Sequence, residues 1–269
     1  MYNGEPYLAQ AVDSLLAQTF TDFTLIISDN GSSDGTEAMG RAYAGRDARV
    51  AYHRSDVNRG AAWNFNRVVA LAASPYFKWA AYDDWCAPTF AARCIELLDR
   101  TPQAIVAYPQ SYVVDGDGTI TGTYREPADA TSPQPHRRFH AVVRNSGYCH
   151  MQFGVMRRAI LQQTQLIGPY PASDTILLAE LALRGQLHEV GEPLLYWRDH
   201  AGSSQRRSGS DEALAAFFDP RNAGTIRLRH ARLLAGYLRT LARVPLPGAE
   251  RLRCAAVIGA WTAYRLPLL

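Results

Sequence analysis

Four carboxylates stand where this chain could do chemistry: Asp29, Asp83, Asp84 and Asp174. Asp29 and Asn30 close the apolar run FTLIIS and open a loop rich in Gly, Ser and Asp, DNGSSDGT. They offer a hydrogen-bond acceptor and a donor suited to a base or a ribose. Asp83 and Asp84 stop a second apolar run, YFKWAAY. That pair has two readings. One is turn chemistry and a helix N-cap, since Pro88 and a helical pattern follow. The other is a divalent cation site, because hard cations take carboxylate oxygens and fill their remaining positions with water and substrate phosphate. A further strand-end acid, Asp29, favours the second reading, because convergent carboxylates repel unless a cation or ligand intervenes. Asp174 precedes the helical run TILLAELAL, and by itself reads as an N-cap. Arg198 has the forked guanidinium that pairs with diphosphate oxygens, and His200 follows two residues later as a metal or diphosphate contact, or as a satisfied structural histidine.

The elements that must position these groups follow from periodicity. Residues 5–18 put Leu8, Ala11, Val12, Leu15 and Leu16 on one helical face, with Pro6 tolerated in the first turn. Short apolar runs at 23–28, 49–53, 76–82 and 104–108 read as strands, and the stretches 36–44, 61–73 and 89–100 between them as helices. Such alternation implies an α/β fold with a mostly parallel sheet covered on both faces. Ligands in such sheets sit beyond the carboxyl ends of the strands, where Asp29, Asp83 and Asp84 fall. Residues 115–144 hold a hairpin-like DGDGT and a Pro/His/Arg-rich stretch, SPQPHRRFH, and are expected to be irregular. Met1 opens directly on a loop, whereas a sheet of this kind ordinarily begins with an apolar strand; the expectation is either a natural start upstream of Met1, which is favoured, or a chain that lacks a central strand.

Composition narrows the function classes. The 269 residues are 47% hydrophobic and 20% charged, so neither a disordered nor a fibrous chain is expected. Four scattered cysteines form no CxxC pair and read as buried thiols of a cytoplasmic protein. No run is long and apolar enough to span a bilayer, and no leader pattern opens the sequence. Residues 221–269 carry nine arginines against Glu250 alone; with a whole-chain charge of +3, the first 220 residues are net acidic. Nothing in this distribution points to nucleic acid. No GxGxxG follows a strand, which disfavours a dinucleotide-binding dehydrogenase, and no Gly-rich basic loop near the start supports a nucleotidyltransferase.

The stretch YNGEPYLAQAVDSLLAQTFTDFTLIISDNGSSDGT resembles the opening of a family-2 glycosyltransferase with the GT-A fold. The resemblance continues through Asn58, Gly60, Asn66 and YDDW, then SDTILLAELALRG, and ends at YWRDHAGSS, covering residues 1–205. It implies a GT-A domain over 1–205 with a C-terminal helical appendage over 206–269. It implies that Tyr2, Glu5, Asp29 and Asn30 line the nucleotide pocket, with Asp29 receiving the base. Asn58, Gly60 and Asn66, counted with the donor-binding residues, would shape the loop and helix that face ribose and diphosphate. Asp83 and Asp84 match the end of the family's Asp-rich metal motif, so Mg²⁺ or Mn²⁺ is implied as cofactor, with His200 a further metal contact. Ala81 stands where an acid often precedes that pair. Asp174 falls at the family's catalytic base, with Ser173 where a Glu is usual. His150, Met151 and Gln152 would border the acceptor pocket; core packing explains Met151 equally well.

The implied activity is inverting transfer of a sugar from a nucleoside-diphosphate donor to the hydroxyl of a saccharide or lipid-linked acceptor, in surface polysaccharide or glycolipid assembly. The competing class is a non-catalytic sugar-nucleotide-binding or scaffold protein, motivated by Ala81, Ser173 and the absent first strand. Residues 205–207, Gln-Arg-Arg, read as a solvated loop. Around 226–244 the apolar positions fall on one helical arc and most arginines on another. This basic amphipathic helix has two destinations, the acidic body of the same chain or an anionic membrane surface on the cytoplasmic side.

Overall fold

The computed structural model describes residues 1–145, 147–203, 211–222 and 229–265. Residues 205–207, and Ile226 and Arg227 of the amphipathic pattern, lie outside them. The first half alternates as its periodicity requires. Helix α1 (Glu5–Leu16) is followed by β1 (Leu25–Asp29), α2 (Thr36–Arg46), β2 (Val50–Arg54), α3 (Ala61–Leu71) and β3 (Tyr76–Lys78). Then come β4 (Trp85–Cys86), α4 (Phe90–Arg100), β5 (Ala104–Val114) and β6 (Ile120–Tyr124). The second half has α5 (Pro135–Arg144), β7 (Val155–Arg157), α6 (Arg158–Leu161), α7 (Ser173–Arg184) and β8 (Gln186–Arg198). Helices α8 (Asp211–Phe218), α9 (Arg229–Arg243) and α10 (Gly248–Arg265) complete the described chain.

The fold class is α/β, as expected, but the sheet is mixed rather than mostly parallel. Among the described residues, only β1–β2 and β5–β8 pair in parallel. Strands β3 and β7, β7 and β5, β5 and β6, and β8 and β4 run antiparallel in a sheet ordered β3-β7-β5-β8-β4, with β6 on β5. The reason lies in the connections: β5 turns back into β6 through Asp115–Gly118, a hairpin that needs no crossover helix. Met1 lies alongside β1, its amine donating to Ser28 O and its carbonyl accepting from Asn30 N–H.

Residues 135–144 are helical, a correction to the irregular segment expected there. Pro135 sits in the first turn, where its missing N–H costs nothing, and Arg138, Phe139, Val142 and Val143 form a buried stripe. The Arg138 guanidinium donates to Ala182 O at 2.7 Å, so this arginine serves the C-terminal carbonyls of α7 rather than solvent. The apolar arc of α9 is covered: Leu233, Tyr237 and Leu241 join one core with Val142 of α5, Ile176 of α7 and Ile258 of α10. Gly236 allows the close approach, since a Cβ there would lie 2.9 Å from Ile176 Cδ1. No helix among the described residues is long and apolar enough to cross a membrane.

Candidate active site

The loop after β1 is built by two sequence stretches zipped together. Asn3 N–H donates to Ser32 Oγ, Gly4 N–H to Thr36 Oγ1, Glu5 N–H to Asp34, and Gly35 N–H to Glu5 Oε2. Glu5 thus holds the loop, and a Cβ on Gly35 would collide with its carboxylate. Tyr2 is exposed beside this loop. Asn30 ties the loop to the start of α3: its amide donates to Asn58 Oδ1 at 2.9 Å and Gly60 O at 3.1 Å, and its oxygen accepts from Arg59 N–H. Gly60 has φ +88°, and the end of α8 packs so closely there that a Cβ would meet the Asp219 backbone.

Asp29 is 0% exposed. Its oxygens accept from Ser32 N–H at 2.9 Å, Tyr52 OH at 2.7 Å and Arg54 Nη1 at 2.5 Å. Burial opposes its ionisation, but the hydrogen bonds from Ser32, Tyr52 and Arg54 overcome it and hold the carboxyl below the usual range. Direct receipt of a base by Asp29 therefore does not match the structure; what reaches the surface is Arg54 and the loop that Asp29 organises. Arg54 escaped the sequence reading because the expected strand ended at residue 53. The parallel register pairs Asp29 with Arg54, and a strand one residue longer would have shown it.

Asn66 also departs from its implied place. Its amide donates to Ile167 O at 2.9 Å and its oxygen accepts from Ile167 N–H at 3.0 Å. Both ends are thus used to bind α3 to the segment that leads into α7, not to face ribose or diphosphate. Arg198 is a third correction. It is 3% exposed, and its guanidinium donates to Asp83 O, Gly116 O and Gln10 Oε1 while stacking over Tyr7 and Trp85. No fork is left for a diphosphate; it fastens α1, the β5–β6 turn and the Asp83 loop together.

Asp83 and Asp84 separate in role. Asp84 is buried, with Oδ1 accepting from Arg198 N–H at 2.9 Å. Burial and the Asp83 charge push its carboxyl well above the usual carboxylate range. The Asp83 side chain remains 18% exposed and pairs with His200 Nε2 at 3.1 Å. Gly202 N–H donates to His200 Nδ1, which leaves the ring proton on Nε2, facing Asp83. As a three-ligand cation site, Asp83, Asp84 and His200 do not fit: Asp84 is buried with its proton affinity raised, and the imidazole pairs with Asp83. Among the described residues, no three His, Cys, Asp or Glu side chains gather to hold a metal. Asp83 alone fits as a single protein ligand.

Asp174 lies in the first turn of α7. Burial raises its carboxyl above the usual value, against the Thr175 N–H and the positive charge of Arg229. It has a neighbour that sequence reasoning missed. Glu126 is buried, accepts from Tyr124 OH at 3.0 Å and from His150 N–H, and feels the charge of Asp174. Burial first, then that charge, lifts it to about pKa 7 despite these hydrogen bonds. Its signal was faint, a single acid after a short polar strand. The two halves of the site meet on β8, where consecutive residues serve both: Trp197 packs on the Tyr148 and His150 rings, and Arg198 carries Asp83 and Asp84.

Comparison with known proteins agrees with this architecture. Residues 1–164 match the model for glycosyl transferase family 2. The putative glycosyltransferase EpsH of Bacillus subtilis is 24% identical over 207 residues, which is 74% of this chain and 54% of EpsH. An uncharacterized glycosyltransferase of Rickettsia typhi is 30% identical over 100 residues, 37% of this chain and 30% of that protein. Aligned segments thus span about half or less of these relatives' lengths. Among solved structures, S. aureus TarS 1-349 in complex with UDP superposes with a TM-score of 0.60 at 16% identity, over 99% of this chain and 90% of that one. The mannosyltransferase PcManGT from Pyrobaculum calidifontis, in complex with GDP-Man and Mn²⁺, gives 0.56 at 13%, over 99% and 73%. With the sequence match spanning more than half its length and the same GT-A fold, the chain belongs to glycosyl transferase family 2.

Proposed function

We propose that this protein is an inverting glycosyltransferase that moves a sugar from a nucleoside-diphosphate donor to an acceptor hydroxyl in surface polysaccharide or glycolipid assembly. The observation that carries the reading is Asp174: a carboxylate at the head of a buried helix, its proton affinity raised by burial, as a general base needs. The nucleotide donor is supported by the UDP, UDP-GlcNAc and GDP-Man held in the structural neighbours.

In this reading the donor base and ribose lie against the loop that Asp29 and Asn30 organise, with Tyr2, Arg54 and Asn58 at its surface. Asp174 takes the proton from the acceptor hydroxyl as that oxygen attacks the anomeric carbon. The bond from that carbon to the diphosphate oxygen breaks with inversion, and the nucleoside diphosphate leaves with the electron pair. One displacement suffices, and no enzyme nucleophile is required. A Mg²⁺ or Mn²⁺ ion carried on the diphosphate, with Asp83 as its protein ligand and Asp84 fixing the loop behind, would offset the charge developing on the leaving group.

The same reading places the protein on the cytoplasmic side of a membrane that carries its acceptor. Since α9 spends its apolar arc on the body, the surface left for peripheral contact is its arginine face, with Leu238, and the exposed side of α10, with Leu252 and Tyr264. Flotation with anionic liposomes tests that contact.

The deciding experiment for the enzyme is a thermal-shift panel of UDP-, GDP- and dTDP-sugars with and without Mn²⁺. A donor-specific shift that needs the metal supports the reading and identifies the nucleotide; a flat panel, together with no donor turnover, refutes it.

A further inference from the structure

Beside the first turn of α7 the chain builds a tight turn whose exposed side is aromatic. Gly147 follows α5 with φ +38°, and its Cα packs so tightly onto Tyr124 and Glu126 that a Cβ would overlap the Tyr124 hydroxyl. Tyr148 N–H donates to Tyr124 OH at 2.9 Å, and His150 N–H to Glu126. Cys149 adopts a left-handed φ of +61°, with its thiol 3.6 Å from Thr175 Oγ1, one residue past Asp174. The turn is therefore pinned at both ends, and Glu126 is its anchor.

What the turn presents is aromatic. The Tyr148 ring is 51% exposed and stacks on Trp197 at 5.4 Å and 20°. His150 lies near-parallel behind it at 5.9 Å, and Tyr124 flanks it at 4.9 Å. Two buried polar atoms of this cluster, His150 Nε2 and Gln152 Oε1, have no partner among the described residues. The His150 Nδ1 is taken by Ser111 Oγ at 2.8 Å, and burial lowers the ring to about pKa 3, so it stays neutral. An exposed flat ring beside carboxylates suits a ligand with an apolar face and a hydroxylated edge. A hydrocarbon chain would offer Asp174 no hydroxyl, and a phosphate would meet the acids Glu126 and Asp174.

We propose that the Tyr148–Trp197 stack, anchored by Glu126, is the acceptor subsite and that its occupant is a saccharide ring, held so that one hydroxyl reaches Asp174. This rests on the glycosyl-transfer reading above. A base must lie within hydrogen-bond reach of the hydroxyl it deprotonates, and the turn that carries Tyr148 packs against the first turn of α7, with Cys149 Sγ 3.6 Å from Thr175 Oγ1.

The test is transfer from the turned-over nucleotide sugar to a panel of p-nitrophenyl glycosides, with decyl phosphate as the sugar-free acceptor. Wild-type protein glycosylates at least one glycoside and not decyl phosphate. Tyr148→Ala raises the KM for that glycoside about tenfold with a much smaller change in kcat, and Tyr148→Phe restores it, because stacking and not the hydroxyl is at work. The alanine variant stays folded at the assay temperature and keeps the wild-type donor KM, since half of the side chain faces solvent and the donor does not contact it in this proposal. Three results overturn the proposal: an unchanged acceptor KM in Tyr148→Ala, a rise confined to the donor KM, or transfer to decyl phosphate and to no glycoside. Donor turnover with no transfer to any acceptor in the panel also counts against a saccharide occupant. Absence of all donor turnover instead refutes the transferase reading beneath it.

Discussion

Replacing Asn66 by alanine separates two accounts of α3. If Asn66 faced the donor, its loss would raise the donor KM. Its side chain instead closes a pair of hydrogen bonds with the Ile167 backbone, 2.9 and 3.0 Å long, and Ile167 is a core residue. Alanine leaves a backbone N–H and a C=O without partners where water reaches poorly. Each such group costs about 1–3 kcal/mol, with the low end apt here because Asn66 is itself half-buried, so the pair amounts to about 2–4 kcal/mol. In a domain of this size that lowers the melting temperature by roughly 5–10 °C. Asn66→Asp keeps the acceptor for Ile167 N–H but sets a carboxylate against Ile167 O, and so recovers little. The assay is thermal unfolding, with the donor KM measured well below the transition. A large stability loss with an unchanged donor KM is expected; a tenfold rise in KM with unchanged melting would refute the structural role.

Asp174→Asn is expected to lower kcat by about 10²–10⁴-fold while donor-induced thermal shifts persist. The native carboxyl has its pKa raised above the unfolded value, so ionising it costs the fold stability as pH rises through that interval. The asparagine variant should therefore unfold at a higher temperature than wild type at neutral pH; an equal or lower value would contradict the burial of this charge. Asp29 has the opposite sign. Its pKa is held down in the fold, so its contribution is present above the unfolded carboxylate value and disappears as pH falls through the native one. Arg54→Met removes one of the groups holding it down and should move acid unfolding to higher pH, whereas Asp29→Asn should flatten the acid limb; circular dichroism across a pH series reads both.

Much of this architecture was legible in the residues because it depends on local spacing. The helices from Glu5 to Arg100 and strands β1 and β2 follow from apolar periodicity, whereas the strand expected over 76–82 pairs only over Tyr76–Lys78 and the short β4 had no signal of its own; Asp29 was readable as a strand end because DNGSSDGT cannot continue a strand. The helix at Pro135–Arg144 was hidden by its own composition: prolines and arginines look irregular until Arg138 is found buried against the end of α7. The partners of Asn66 and Arg198 lie about a hundred residues away, beyond any local pattern, so their types suggested ligand contacts where the fold uses them as fasteners. The Tyr148 turn was illegible for a related reason. Tyr124, Glu126, His150 and Trp197 come from separate segments and meet only after β5, β6 and β8 have paired.

Strand β8 skips residues against β5: Pro109 faces Val190, Gln110 faces Pro193, and Ser111 faces Leu195. The irregularity sets the parity of everything downstream, because a one-residue slip in a strand turns each side chain to the opposite face. Deleting Gly191 would give the sheet two ways to heal. Either the bulge shrinks and nothing else moves, or the slip propagates: Arg198 then takes the place of Trp197 behind the Tyr148 ring, and Asp199 the place of Arg198 beside Asp84. The length of a bulge far from either ligand thus acts as a frame-setting element for the whole catalytic face, and natural length variation there should be rarer than in the solvent-facing turn at Asp115–Gly118.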